Sequence, residues 1–238
     1  MTTLFIADLH LSEQRPEITD LFIEFLKTKA RHARALYILG DLFEAWLGDD
    51  CILPAYNEII SQLKNLTDSN IPVYLLHGNR DFLIGSHFCE LTGCQLLDES
   101  TTITIDNNDY IIMHGDTLCT DDVKYQQFRT MVRNPEWQQQ MLSKTPAERM
   151  ALAKQYREIS KNETSEKAED IMDVNQGEVE KVMRATNIFT LIHGHTHRPN
   201  IHKFDIDGKP ARRIVLGDWY EQGSVLKLDK DQFELETL

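Results

Sequence analysis

No segment of this 238-residue chain approaches the ~18 consecutive apolar residues that a bilayer-crossing helix needs, so membrane contact is expected to be peripheral at most. Positive charge is scarce. Lys and Arg number 25 against 38 Asp and Glu, and the net charge of −13 argues against a nucleic acid partner, whose backbone would be repelled. Cysteine is sparse, and Cys51, Cys89, Cys94 and Cys119 show no C-x-x-C zinc spacing. With no secretory signal ahead of the first strand-like run, they read as thiols in a reducing cytosol. No repeat or low-complexity tract is present, and no feature marks an obligate protein partner. The middle third lacks any strand signal. From Asp121 to about Asn187, Gln, Glu, Lys, Arg, Ala and Met dominate, which are helix formers. At least three helices are expected there, one opened by the capping box Thr145-Pro146-Ala147-Glu148. Residues 121–170 hold nine Lys or Arg and nine Asp or Glu, a neutral block within an acidic chain.

What the chain does contain is 41% hydrophobic residues and 26% charged ones, ordinary for a globular protein large enough for one domain with an insertion. Up to residue 120, strand-like and helix-like segments alternate. Leu21, Phe22, Phe25 and Leu26 share one helix face, and Tyr56, Ile59, Ile60 and Leu63 share another. Hairpins are expected around Asp106–Asp109 and Asp207-Gly208, and further strands at Val225–Leu228 and Phe233–Leu235. The alternation implies an α/β fold, a sheet flanked by helices. Residues 1–120 and 188–238 form its core, and 121–187 is expected to be an insertion packing over the site.

Five apolar runs end abruptly in polar residues: Leu4–His10, Leu36–Asp41, Val73–Asp81, Tyr110–Asp116 and Phe189–His197. Such endings are where α/β folds place their chemistry. The endings carry Asp8, His10, Asp41, Asn79, His114, His195 and His197. Carboxylate, imidazole and amide oxygen together suit divalent cations such as Mn2+. Asp8 and His10 are read as sharing one face of an extended segment, and His195 and His197 likewise. The Gly residues beside Asp41, Asn79 and His114 let the backbone turn tightly. His77 and His193 read as buried imidazoles or supports to the ligands. His32, His87 and His202 read as ordinary hydrogen-bonded histidines. Trp46 reads as core or site wall, and Asp49-Asp50 as a solvated turn.

D-x-H, G-D, G-N-x-D, H-G-D and G-H-T-H in this order resemble the calcineurin-like metallophosphoesterase superfamily. The resemblance spans nearly the whole chain and implies a double-sheet α/β sandwich with a dimetal site. It implies one metal held by Asp8, His10, Asp41 and His197. The second is held by Asp41, Asn79, His114 and His195, with Asp41 bridging and a bridging water or hydroxide as nucleophile. Many members carry His directly after the motif Asn; here Arg80 stands there. Arginine is a poor general acid and a good phosphate clamp, which suits a pyrophosphate leaving group. Pairing of Arg80 with Asp81 is the alternative.

Gly40–Trp46, Gly78–Phe82, Ile171–Asn175 and Gly194–Pro199 further resemble the UDP-2,3-diacylglucosamine pyrophosphohydrolase family of the lipid A pathway. That resemblance implies two Mn2+ per chain, a glycolipid nucleotide substrate attacked at its α-phosphorus, and a peripheral location on the cytoplasmic face of a bacterial inner membrane. It implies substrate contacts at Asn79, Arg80, Asp122, Tyr125, Arg157, Ser160, Thr164, Lys167 and His195, although the family pattern has Asn at the Thr164 position. Tyr125, Phe128, Met131, Val132, Met141 and Leu142 could line an acyl channel or simply pack helix on helix. Two other functions stay open at this point: a general phosphomonoesterase or cyclic-nucleotide phosphodiesterase, and a non-catalytic scaffold.

Overall fold

A computed structural model describes the backbone of residues 1–165 and 173–238, and the side chains of 1–158 and 173–238. The chain opens with β1 (Thr3–Ile6), α1 (Pro16–Thr28), β2 (Ala35–Ile38), α2 (Asn57–Asp68), β3 (Val73–Leu75), α3 (Ser86–Thr92) and β4 (Gln95–Leu96). A hairpin of β5 (Ser100–Ile105) and β6 (Asn108–Met113) follows. Then come α4 (Val123–Val132), α5 (Pro135–Leu142), α6 (Pro146–Ser165) and α7 (Gln176–Thr186). The last third is β7 (Thr190–His193), β8 (Asn200–Ile206), β9 (Lys209–Val215), β10 (Ser224–Asp229) and β11 (Gln232–Thr237).

Two mixed sheets result, in the orders β11-β10-β1-β2-β3-β4 and β5-β6-β7-β9-β8. β1, β2 and β3 run parallel, as do β6 and β7. β1 and β2 are buried along their whole length, because apolar residues on alternate faces serve two different layers. Phe5, Tyr37, Leu39 and Leu76 face the second sheet and meet Tyr110, Ile112, Ile192 and Ile214. Phe5, Tyr37 and Tyr74 stack at 5.0 and 4.7 Å between ring centres. Leu4, Ile6, Leu36 and Ile38 face outward against Phe22 and Phe25 of α1 and Ile59 and Leu63 of α2. On the far side, Val179 and Met183 of α7 cover Ile111, Met113 and Leu191 of the second sheet. The fold is an α/β sandwich of two sheets between helical layers.

The hairpin turns adopt the left-handed backbone that two-residue loops require. Asp106 and Asn107 sit at φ 50° and 64°, and Asp207-Gly208 at 55° and 79°. Between β6 and β7 the described residues hold α4–α7 and no strand. The Thr145–Glu148 capping box forms, with Glu148 Oε2 accepting from Thr145 N at 2.9 Å. Asp49-Asp50 is a turn with Asp50 exposed, as its polarity suggests, and both carboxylates also make structural bonds. Asp49 accepts from Trp46 Nε1 (2.9 Å), Gly85 N (3.0 Å) and Phe88 N (3.0 Å), fixing the start of α3. Asp50 meets Arg149 of α6 through both oxygens, and Arg149 is 1% exposed. A buried guanidinium needs that carboxylate, so this pair fastens α6 to the core.

Candidate metal centre

Each motif residue sits in a loop just past the C-terminal end of a parallel strand. Asp8 and His10 follow β1, Asp41 follows β2, Asn79 follows β3, His114 follows β6, and His195 and His197 follow β7. The loops are tight. Asp8, His10, Asp41, His195 and His197 all have φ between 50° and 69°. Non-glycine residues rarely adopt this region, and its clustering marks functional sites. Neither Asp8 and His10 nor His195 and His197 therefore share a face of an extended segment, and β7 ends at His193. β1 ends at Ile6, and two left-handed residues turn their side chains inward instead. Backbone bonds to the neighbouring loop hold the turn: Asp8 N donates to Gly40 O at 3.1 Å and His10 N to Asp41 O at 2.9 Å. Two glycines are needed for the close approach. A Cβ on Gly78 would lie 2.1 Å from Asp41 Oδ1, and one on Gly194 2.3 Å from Asp8 Oδ2.

The side chains converge. Asp8, His10 and His197 offer donor atoms within 4.8 Å of one another, and so do Asp8, Asp41 and His114. Asp41 Oδ2 lies 3.8 Å from His10 Nε2 and 3.8 Å from His114 Nε2, between the two groups. His10 Nε2 faces His197 Nε2 at 3.5 Å. Asn79 Oδ1 lies 2.9 Å from His114 Nε2 and 3.0 Å from His195 Nδ1, which are 3.2 Å apart. His114 Nδ1 is 2.9 Å from Leu39 O, where it donates. Its Nε2 in the neutral ring is then a lone pair aimed at the oxygen of Asn79. A divalent cation can take that lone pair and the amide oxygen together.

The carboxylates are presented in the same sense. Asp8 Oδ2 accepts from His195 N and Asp41 Oδ1 from Arg80 N, each at 2.8 Å, which leaves the other oxygen of each toward the imidazoles. Asp8 Oδ1 is buried with no hydrogen-bond partner among the described residues. Burial pushes the Asp8 carboxyl upward, and His197, His114 and His10 outweigh it, holding it well below the usual carboxylate range. Burial raises Asp41, with His114 and His10 only partly opposing. Burial and the neighbouring His114 push His195 down to about 4, so its ring is neutral and able to ligate. This donor set of carboxylates, imidazoles and an amide oxygen fits divalent cations.

The calcineurin-like phosphoesterase family model matches residues 1–199. The chain belongs to this family. A curated UDP-2,3-diacylglucosamine hydrolase of Vibrio parahaemolyticus is 52% identical over 100% of this chain and 98% of that protein. One of Pseudomonas entomophila is 52% identical over 98% of this chain and 97% of its own. Among solved structures, a novel archaeal phosphodiesterase aligns over 100% of both chains at a TM-score of 0.52 and 14% identity, a likeness of fold. These relatives make the chain a hydrolase, and the family is one that binds divalent metal.

Around the phosphoesterase centre lie supports that sequence reasoning missed. Asp81 is fully buried and accepts from Gly78 N (2.8 Å), Leu42 N (2.8 Å) and Asp41 N (3.3 Å), so it ties two ligand loops together and is not the partner of Arg80. Glu44 Oε2 lies 3.2 Å from His10 Nδ1, and Asp218 Oδ2 lies 3.5 Å from His197 Nδ1. Carboxylates behind ligating histidines orient the ring and strengthen it as a ligand. Tyr220 stacks on His10 at 5.4 Å with Arg15 on its ring at 4.8 Å. Only Asp81 and Glu44 stood inside quoted motifs; Asp218 and Tyr220 carry no local signal.

Of the expected substrate contacts, Asn79, Arg80 and His195 lie in the cluster. Asp122 caps α4, accepting from Tyr125 N at 3.1 Å. Tyr125 donates its hydroxyl to buried Asp116 at 2.8 Å and its ring lies 5.8 Å from that of His195. Arg157 pairs with Glu44, which links α6 to the His10 support. The side chains of Ser160 and Thr164 lie outside the described residues, as does Lys167. Phe128 meets Tyr156, Val132 and Met141 are buried, and Met131 and Leu142 are 41% and 42% exposed. Trp46 is core. His193 is fully buried, with burial and Arg213 pushing it down to about 3, and His77 lies 2.7 Å from Ile84 O.

Proposed function

We propose that this chain hydrolyses the pyrophosphate bond of UDP-2,3-diacylglucosamine, giving UMP and 2,3-diacylglucosamine 1-phosphate in lipid A biosynthesis, with two Mn2+ ions per chain. The reading is carried by one coincidence: full-length likeness to hydrolases of that name, and a cluster in which every donor of the family motif is present. Asp8, His10, Asp41 and His197 would hold one ion, and Asp41, Asn79, His114 and His195 the other. When bound, such a pair supplies an ionised water at neutral pH and positive charge for phosphate oxygens.

The chain's own groups do the rest. Arg80 is fixed through its backbone N–H on Asp41, and its guanidinium reaches the cluster closely enough to oppose the charging of His10. It has no carboxylate partner among the described residues, so it is available to clamp a phosphate oxygen. Asn79 and His195 contact the same phosphates. The helices α4, α5 and α6 serve as a cap over the substrate, with Asp122, Tyr125 and Arg157 toward its sugar and phosphate, whereas α7 belongs to the core, packed on the second sheet. An aromatic series supports an acyl path under that cap: Phe82 meets Trp137 at 6.3 Å, Trp137 meets Tyr156 at 6.4 Å, and Tyr156 meets Phe128 at 5.5 Å. No described helix is long and apolar enough to cross a membrane. Exposed Met131, Leu142 and Met150 on the cap helices support peripheral contact with the cytoplasmic face of the inner membrane that carries the lipid.

The test is turnover of UDP-2,3-diacylglucosamine in 18O water, with and without Mn2+, beside p-nitrophenyl phosphate and cyclic AMP. Attack at the α-phosphorus puts the label in UMP. Turnover of the simple esters alone, or label in the sugar phosphate, would overturn the proposal.

A further inference from the structure

Asp173, just ahead of α7, has no role so far, and neither do Thr196 and Arg198–Asn200 on either side of the ligand His197. They meet across a groove of about 280 Å3. One wall is Arg213 of β9, which is 6% exposed. Its Nη1 lies 3.3 Å from His193 Nε2 and 3.9 Å from Asp173 Oδ1, and its Nε has no partner among the described residues. A guanidinium carries five N–H donors, and burying them unmet is costly. Thr196 Oγ1 in the same groove is also buried, with no partner among the described residues. Two orphaned donors in one groove point to a ligand that carries acceptors.

The groove abuts the metal cluster. Thr196 is covalently between His195 and His197, so its Cα is about 3.8 Å from theirs. The lining is mixed. Arg213, Arg198 and Thr196 donate, the Asn200 amide does both, and Asp173 accepts, its Oδ2 taking Arg198 Nη1 at 3.2 Å and its Oδ1 taking Val174 N at 2.7 Å. The two guanidiniums could hold a phosphate, but the Asp173 carboxylate beside them is matched only by a ligand that also carries an N–H. An acyl chain would leave the donors unmet. Uracil has alternating acceptor, donor and acceptor along its edge, O2, N3–H and O4. Cytosine offers no N3–H to a carboxylate.

We propose that this groove is the nucleoside subsite, in which Arg213 and Thr196 donate to the uracil carbonyls and Asp173 accepts from the base N3–H. The inference rests on the reading of a UDP-linked substrate. With the α-phosphorus at the cluster, the ribose bridges the short step from His195 and His197 to the base.

The test is equilibrium binding of UMP, CMP and inorganic phosphate to the Mn2+-loaded protein, for wild type and for Thr196→Val, Asn200→Ala and Arg213→Gln, with KM and kcat for UDP-2,3-diacylglucosamine alongside. Wild type should prefer UMP over CMP by at least ~10-fold, since a site built around polar groups rejects a base that leaves them unpaired. Each variant should lose most of that preference and raise KM more than it lowers kcat, while phosphate affinity stays the same. Thr196→Val is isosteric and Asn200 is exposed, so these two remain informative should Arg213→Gln fail to fold. Equal binding of UMP and CMP by wild type, or unchanged UMP affinity in both milder variants, would overturn the subsite even where the lipid is hydrolysed. A UMP preference lost in the variants, in a protein that leaves the UDP-lipid intact, would support the subsite and refute the proposed reaction.

Discussion

Asp81→Asn is the perturbation whose cost follows most directly from the geometry. Oδ1 of Asp81 accepts from Gly78 N at 2.8 Å and Asp41 N at 3.3 Å, and Oδ2 accepts from Leu42 N at 2.8 Å. An asparagine keeps one oxygen. With that oxygen on the Gly78 side, its NH2 group faces Leu42 N, donor against donor. One charge-assisted bond is lost and a buried N–H is stranded, which costs about 2–3 kcal/mol. For a chain of this size each kcal/mol moves the midpoint by about 2–4 °C, so Tm should fall by about 4–12 °C. The damage is also local. The bonds join the Asp41 and Asn79 loops, so Mn2+ affinity should drop by about 10–100-fold, as when outer supports of a metal site are removed. Melting in chelator isolates the first effect, and Mn2+ titration by calorimetry gives the second. A Tm within 1 °C of wild type, or roughly unchanged metal affinity, would refute the role given to Asp81.

Asp8→Ala, Asn79→Ala and His114→Ala should each lower turnover by about three orders of magnitude while circular dichroism stays native, because these side chains serve cations rather than packing; near-wild-type turnover in any of them would contradict the assignment. Arg80→Ala should reduce kcat, with Arg80→Lys restoring only part of it through loss of the bidentate fork; unchanged kinetics in Arg80→Ala would make Arg80 structural. Burial pushes the Cys94 thiol up to about 12, so at pH 8 its thiolate fraction is only about 10⁻⁴ and it should resist alkylation until the protein unfolds. Half-buried Cys51 should label first, as peptide mass mapping would show; early labelling of Cys94 would contradict its burial.

The strand-end residues could be read from the sequence because each group follows an apolar run, and Asp41, Asn79, His114 and His195 each adjoin a glycine, both local signals. The hairpins at Asp106-Asn107 and Asp207-Gly208 were legible for the same reason. What failed was period counting beyond the strand. Asp8 and His10 look like one face of an extended segment, and the backbone at both is left-handed because the Gly40–Leu42 loop holds the turn from across the sheet. Asp49-Asp50 is the surface turn that it looks like, but its bonds to Gly85, Phe88 and Arg149, up to 99 residues away, leave no mark in the local sequence. Asp218, Tyr220 and Arg213 act on residues of other loops and strands. No spacing rule links them to those partners, and only the packed sandwich does.

The central claim is that Asp8, His10, Asp41, Asn79, His114, His195 and His197 hold two cations. Anomalous diffraction from a crystal grown in Mn2+ tests it most directly. Two manganese peaks should appear, one among Asp8, His10 and His197, the other among Asn79, His114 and His195, with Asp41 touching both. A single peak, or manganese bound elsewhere with these seven side chains unligated, would contradict the account.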